Sequence, residues 1–278
     1  MRVAGVVGWP VSHSLSPRLH EFWLKQYGIS GAFVPLAIRR EDFSRALGGL
    51  VTAGFAGVNV TVPHKEAAFA IAHTLDARAR AAGAVNLLVF ENGAYVGRNT
   101  DADGLAASLK EALGDTLSGK AAVMLGAGGA ARAGIIALDA LGMPTVRVLA
   151  RSPAKAESMA ASLRPFVTAT VSVFAWENWR EAADGVGLLL NTTSAGMKGQ
   201  NMLDLPLDPL PKTAAVCDIV YNPLETDLLK RARERGQPTV DGLGMLLHQA
   251  VPAFEAFFGV RPEVTTELRA ELVKALNA

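Results

Sequence analysis

Short runs of β-branched and other apolar residues alternate along the chain with stretches whose apolar positions recur at helical spacing. Arg2–Gly8, Phe33–Ile38 and Gly57–Thr61 predict strands, and Pro17–Tyr27 and Glu41–Ala53 predict the helices between them. The first helix carries its own punctuation: Ser16 as N-cap, Pro17 at the first helical position and Gly28 just past the end. Leu87–Phe90 and Ala94–Val96 flank Glu91-Asn92-Gly93, a hairpin signal because Asn and Gly accept positive φ. From Asp103 onward the alternation resumes, with a helix at Gly104–Leu113, a strand at Ala121–Leu125 and a helix at Ala130–Leu141. Strands at Thr145–Leu149, Val167–Val173, Val186–Leu190 and Ala215–Val220 follow, then helices at Leu243–Phe258 and Pro262–Leu276. Strand–helix alternation of this kind predicts parallel sheets with crossover helices.

The length of 278 residues suits two domains. The expected architecture is α/β: a substrate-binding and catalytic domain from residues 1–102 plus 241–278, and a Rossmann-type domain from 103–240. The C-terminal helices are expected to pack back on the first domain, with a cleft between the two. Hydrophobic residues make up 50% of the chain and charged residues 19%, which excludes disorder. A net charge of +1 supplies no field for nucleic acid or membrane. No apolar run reaches the length of a spanning helix and the N-terminal one stops at Gly8-Trp9-Pro10, so a cytoplasmic setting is expected. Cys217, the single cysteine, sits in an apolar run and reads as a buried small hydrophobe. The five histidines do not cluster at metal-ligand spacing, and no metal is expected. Trp176 and Trp179 fall in a predicted helix without a basic patch, so packing is expected of them rather than stacking on nucleic-acid bases.

Candidate chemistry sits at the carboxyl ends of the predicted strands. Ala121–Leu125 runs into Gly126-Ala127-Gly128-Gly129-Ala130-Ala131 and a helix, the G-x-G-x-x-G/A pattern in the context that dinucleotide binding requires. The helix N-terminus offers free N–H groups to the phosphates. An NAD enzyme commonly ends the next strand with an acid. Here it ends Leu149-Ala150-Arg151-Ser152, with Lys155 close by, which points to the 2′-phosphate of NADP. In the first half, Ser14 and Ser16 lie at a helix N-terminus suited to a carboxylate. Val58-Asn59-Val60-Thr61-Val62-Pro63-His64-Lys65 places an amide, a hydroxyl and an ammonium at a strand end. Asn86 and Asp101 stand at similar edges, and a Lys with an Asp partner suits proton transfer at a carbonyl or alcohol carbon.

Eight segments in order, GWPVSHSLSPRLH, VNVTVPHK, GAVN, GRNTDADG, GAGGAARA, NTTSAGM, DIVYNP and DGLGMLLHQA, span residues 8 to 250. In them the chain resembles the shikimate dehydrogenases. The resemblance implies reversible reduction of 3-dehydroshikimate to shikimate with NADPH, on the way to chorismate and aromatic amino acids. It implies Lys65 and Asp101 as the catalytic pair, Ser14, Ser16 and Tyr221 at the substrate carboxylate, and Asn59, Thr61, Asn86 and Gln249 at the ring hydroxyls. Gly126 to Ala130, Arg151 and Ser152 are implied for NADP, with Lys155 beside them, and Thr193, Ser194, Ile219 and Gly242 on the nicotinamide side. Two positions depart from the family's habit. Leu87 stands where Thr is common, implying one polar group fewer near the ring, and Ala150 where Asn is frequent, implying one adenosine contact fewer. The alternative enzyme is a relative of broader range that takes quinate or NAD; a non-catalytic ligand sensor has no need of the Lys65–Asp101 pair. A monomer and a homodimer fit the sequence equally.

Overall fold

A computed structural model describes Met1–Asn277; Ala278, the last residue of the expected first domain, lies outside the described residues. The strands are β1 (Arg2–Gly8), β2 (Gly31–Ala37), β3 (Gly57–Val60), β4 (Thr74–Leu75), β5 (Leu87–Glu91), β6 (Ala94–Arg98), β7 (Ala121–Leu125), β8 (Thr145–Ala150), β9 (Thr170–Ala175), β10 (Leu188–Asn191), β11 (Ala215–Asp218) and β12 (Thr239–Val240). The helices are α1 (Ser16–Gln26), α2 (Phe43–Thr52), α3 (Lys65–Ile71), α4 (Ala77–Ala82), α5 (Asp101–Leu113), α6 (Gly129–Ala140), α7 (Pro153–Leu163), α8 (Trp179–Ala182), α9 (Asp227–Glu234), α10 (Gly242–Phe258) and α11 (Thr266–Leu276). The chain divides into two compact units, Met1–Asp101 with Gln249–Ala278, and Ala102–His248.

The first unit holds a six-stranded sheet ordered β2-β1-β3-β5-β6-β4. β1 pairs parallel with β2 and β3, while β3–β5 and β5–β6 are antiparallel. The β5–β6 turn closes on Asn92 and Gly93, whose φ values of 49° and 77° are those of a two-residue type I′ turn. One core cluster joins Val7, Phe43, Leu47, Val58, Val60 and Leu88. An aromatic cluster joins His20, Trp23 and Phe33 to Phe254, Phe257 and Phe258 of α10. The C-terminal segment is further tied down by the Trp23 indole, which donates to the Glu263 carbonyl at 3.0 Å.

The second unit holds a fully parallel sheet ordered β12-β11-β10-β7-β8-β9. Read from β9, this is the 3-2-1-4-5-6 order of a doubly wound dinucleotide fold, with its switch point between β7 and β10. β10 and β11 are buried along their whole length, as strands covered on both faces must be. Trp179 is buried in this unit's core and its indole donates to the Pro206 carbonyl at 2.7 Å, so packing is its role. No helix among the described residues is long and apolar enough to cross a membrane.

Most expected boundaries shift by one to a few residues, as where the strand expected at Val167–Val173 lies at Thr170–Ala175, and at two helix starts the capping explains the shift. Ser16 is not the N-cap of α1: the chain is already helical at Leu15 (φ −80°, ψ −9°), and the Ser14 hydroxyl accepts the Ser16 N–H at 3.3 Å. The last helix starts at Thr266 rather than Pro262, because Thr265 caps it by accepting the Leu268 N–H at 3.2 Å.

Candidate active site

The first unit gathers its polar groups where β3, β5 and β6 meet the start of α5. Lys65 opens α3 directly after the turn that follows β3. That turn is fixed by its own backbone, with the Thr61 N–H on the Val7 carbonyl at 2.9 Å and the His64 N–H on the Thr61 carbonyl at 2.9 Å. The His64 ring pins it to the core, stacked on Phe43 at 4.6 Å with Nε2 2.7 Å from the Ile38 carbonyl oxygen. Lys65 Nζ donates to Asp101 Oδ2 at 2.5 Å. The two side chains keep 30% and 13% of their surface, so the pair is sheltered yet reachable.

Asp101 is held from three directions. Its backbone N–H donates to Asn99 Oδ1 at 3.1 Å, Asn86 Nδ2 donates to its Oδ1 at 2.8 Å, and it opens α5, where the helix dipole favours a negative charge. The Asn86 amide has two hydrogens and three neighbours: Asp101 at 2.8 Å, Thr100 Oγ1 at 2.9 Å and Gln249 Oε1 at 3.4 Å. The two shorter contacts take the hydrogens. Thr100, which sequence reasoning did not single out, closes the circuit, since its N–H donates to Asn86 Oδ1 at 2.9 Å and its hydroxyl to the Gln249 carbonyl at 2.9 Å. Its only sequence signal was its place beside Asp101 in the same polar segment. Asn59 is buried on β3; its Nδ2 donates to the Asn86 carbonyl at 3.3 Å, while its buried Oδ1 has no partner. Thr61 packs against Gly8 and leaves no room for a Cβ there, and β1 and β3 are neighbours. Ser14 and the buried Ser16 follow β1 on the way into α1.

Lys65, Asp101, Asn86 and Asn59 are thus joined by direct hydrogen bonds and Gln249 is tied to them through Thr100, whereas Tyr221 belongs to the second unit. Burial pushes the Tyr221 phenol above its ordinary range. Leu87 is fully buried and registered opposite Asn59 and Arg98, so it serves the core.

In the second unit the glycine-rich turn sits at the switch point. Gly126 has φ +107°, and a Cβ there would stand 3.0 Å from Thr193 Cγ2 and 3.1 Å from Thr192 Oγ1. Gly128 and Gly129 are exposed and face open space, α6 has no side-chain cap, and no acid stands in its first turn. The Ala131 and Arg132 N–H groups turn back onto the Gly128 carbonyl, which leaves those of Gly129 and Ala130 for a pyrophosphate, with Ala127 alongside. Arg151, Ser152 and Lys155 are exposed at the end of β8 and the start of α7, and no carboxylate ends that strand. This donor set fits a dinucleotide with a 2′-phosphate. Thr193 and Ser194 follow β10; Ile219 follows β11, and its carbonyl lies where a Cβ on Gly242 would be. Behind these turns lies a buried carboxylate that the sequence reading passed over. Burial raises Asp218 to about 6, against the pull of hydrogen bonds from Thr226, Val220 and Asn191.

Comparison with known proteins points to a single family. A family model described as the shikimate dehydrogenase substrate binding domain matches residues 6–88, and one described as the shikimate 5'-dehydrogenase C-terminal domain matches residues 242–266. The shikimate dehydrogenase (NADP(+)) of Paramagnetospirillum magneticum is 54% identical over 272 residues, 97% of each chain. The Rhodospirillum rubrum protein of the same name is 51% identical over 274 residues, 98% of this chain and 97% of its own. Among solved structures, shikimate 5-dehydrogenase from Thermus thermophilus, in complex with NADP(H) and shikimate, aligns with a TM-score of 0.87 at 34% identity, covering 99% of this chain and 100% of that one. With this likeness running nearly end to end, the chain belongs to the shikimate dehydrogenase family.

Proposed function

We propose that this chain reversibly reduces 3-dehydroshikimate to shikimate with NADPH as a cytoplasmic enzyme of aromatic amino acid biosynthesis, its partner being that small molecule. The observation that carries the reading is the Lys65–Asp101 contact at 2.5 Å, linked through Asn86 to Asn59, whose buried amide oxygen has no partner. When bound, NADPH supplies a hydride to the carbonyl carbon. The chain's part is to supply the proton and hold the ring. The Lys65 ammonium donates a proton to the oxygen as it becomes an alcohol, and takes it back in the reverse direction. Asp101 keeps the ammonium in place, and Asn86 keeps Asp101 in place by occupying its other oxygen. A ring hydroxyl would supply the donor that Asn59 Oδ1 lacks, together with Thr61, Asn86 and Gln249. Ser14, Ser16 and Tyr221 are assigned to the substrate carboxylate, and Arg151, Ser152 and Lys155 to the 2′-phosphate. The donor set at the end of β8 supports NADP over NAD.

The test is absorbance at the reduced-nicotinamide band with shikimate or quinate, each paired with NADP or NAD. Rapid reduction with shikimate and NADP alone is the expected result. Equal turnover with quinate or NAD would widen the assigned range, and silence in all four pairings would sink the enzymatic reading.

A further inference from the structure

Asn191 ends β10 and Asp218 ends β11, directly opposite in register, and both are fully buried. Asp218 Oδ1 accepts from Asn191 Nδ2 at 3.0 Å and from the Val220 N–H at 3.1 Å, and its Oδ2 accepts from the Thr226 hydroxyl at 2.7 Å. Because the Asn191 amide donates to the carboxylate, its oxygen must face the other way. There it accepts both the Thr193 N–H at 3.0 Å and the Thr193 hydroxyl at 2.8 Å. Thr193 Oγ1 in turn accepts the Ala195 N–H at 3.1 Å, and Thr193 Cγ2 lies against the Gly126 turn. A continuous chain of contacts therefore runs from Asp218 through Asn191 and Thr193 to the first glycine of the dinucleotide fingerprint.

The second arm is as short. The Val220 N–H on Asp218 fixes the turn that carries Ile219, whose carbonyl lies against Gly242. One buried group thus orders the turns after both β10 and β11, on one side of the switch point where a dinucleotide binds.

We infer that Asp218 is a positioning residue for the cofactor: through Asn191 and Val220 it sets the Thr193 and Ile219 turns, and so sets NADP affinity without touching the ligand. The inference rests on the cofactor reading above. It is a statement about hydrogen-bond geometry and not about charge, and that gives it a distinctive signature. Asp218→Ala removes the acceptor for three donors. Asp218→Asn keeps an oxygen for Asn191 and Val220, and its new NH2 group meets the Thr226 hydroxyl, which can reverse its role from donor to acceptor.

The experiment measures the equilibrium affinity for NADP, by fluorescence of bound NADPH, and for shikimate, by calorimetry, on wild type and both variants. In Asp218→Ala the NADPH Kd and the KM for NADP rise by about 10-fold, since only part of the loss of three hydrogen bonds is passed on to the Thr193 and Ile219 turns. Shikimate affinity falls far less, since of its assigned ligands only Tyr221 adjoins the Val220 turn, and its persistence also reports that the first unit is folded. Asp218→Asn recovers most of the loss. Should Asp218→Ala not fold, Asn191→Ala cuts the same chain one link nearer Thr193 and is expected to show the same selective loss. Unchanged NADPH affinity in a folded variant overturns the inference, and so does an equal fall for both ligands. An Asn variant as poor as the Ala variant overturns the hydrogen-bond account. Failure of wild type to bind NADPH is separate and sinks the cofactor reading itself.

Discussion

An ammonium 2.5 Å from a carboxylate whose other oxygen is already taken has few ways to move. Asp101 cannot swing toward solvent without losing Asn86, and Asn86 cannot turn without losing Thr100. Lys65 is the terminal member of this circuit and the one with a free end, since only one of its three hydrogens is spent on Asp101. Lys65→Ala should therefore lower kcat by about 10²-fold or more while leaving shikimate binding largely intact, because the amides of Asn59 and Asn86 proposed for the ring hydroxyls stay in place. Steady-state kinetics beside calorimetric binding separates the two quantities. Unchanged turnover would remove Lys65 from the proton path.

At the scale of elements, the hairpin β5–β6 determines whether this circuit closes. Its register sets the Asn86 N–H against the Arg98 carbonyl at 3.1 Å, and so brings Asn99, Thr100 and Asp101 back to the level of Asn86. The register is fixed at the far end by Asn92 and Gly93. A Cβ on Gly93 meets nothing, so the only cost of Gly93→Ala is holding alanine at φ +77°. A loss of about 1 kcal/mol is expected in urea unfolding, and equal stability would show that the turn is not held in this form. This turn was legible in the sequence because Asn-Gly between two apolar runs is a local signal. β1 was legible in full for the same kind of reason, and most other boundaries to within a few residues. Helices α3, α4, α7 and α9 and strands β4 and β12 were not assigned, and the shortest of them display no period. The Lys65–Asp101 pair was legible from its residue types and motifs. Asn191 and Asp218 were not, because a polar residue ending an apolar run reads as the start of a solvated loop. Only the pairing of β10 with β11 turns two such ends toward each other.

For the whole molecule, the two units carry separate cores and respond differently to acid. In the first, His20 is fully buried with neither ring nitrogen partnered, stacked on Phe33 at 3.8 Å. Burial pulls its imidazole down to about 3. Folded and unfolded chains both hold it neutral above its ordinary value of 6.5, so it is silent at pH 7.5. As the pH falls below 6.5 the unfolded chain gains a proton that the folded chain refuses, and stability drops toward about pH 3. Asp218 in the second unit works in the opposite direction, because the folded state gains its proton first as pH falls through about 6. Substitution isolates the histidine: between pH 7.5 and 4.5 wild type should lose about 3 kcal/mol that His20→Phe does not lose. Identical pH dependence of the urea midpoints would show that His20 gains a proton in the folded state. The same cluster bears on how the chain is made. Trp23 and Phe33 leave the ribosome early, but Phe254 and Phe257, against which they pack, follow after about 220 more residues, tens of seconds at ordinary elongation rates. The continuous second unit emerges complete during that wait. The unit that holds Lys65 and Asp101 stands with an open aromatic face until α10 is translated, so nascent chains halted between the second unit and α10's last turns are the ones most in need of a chaperone.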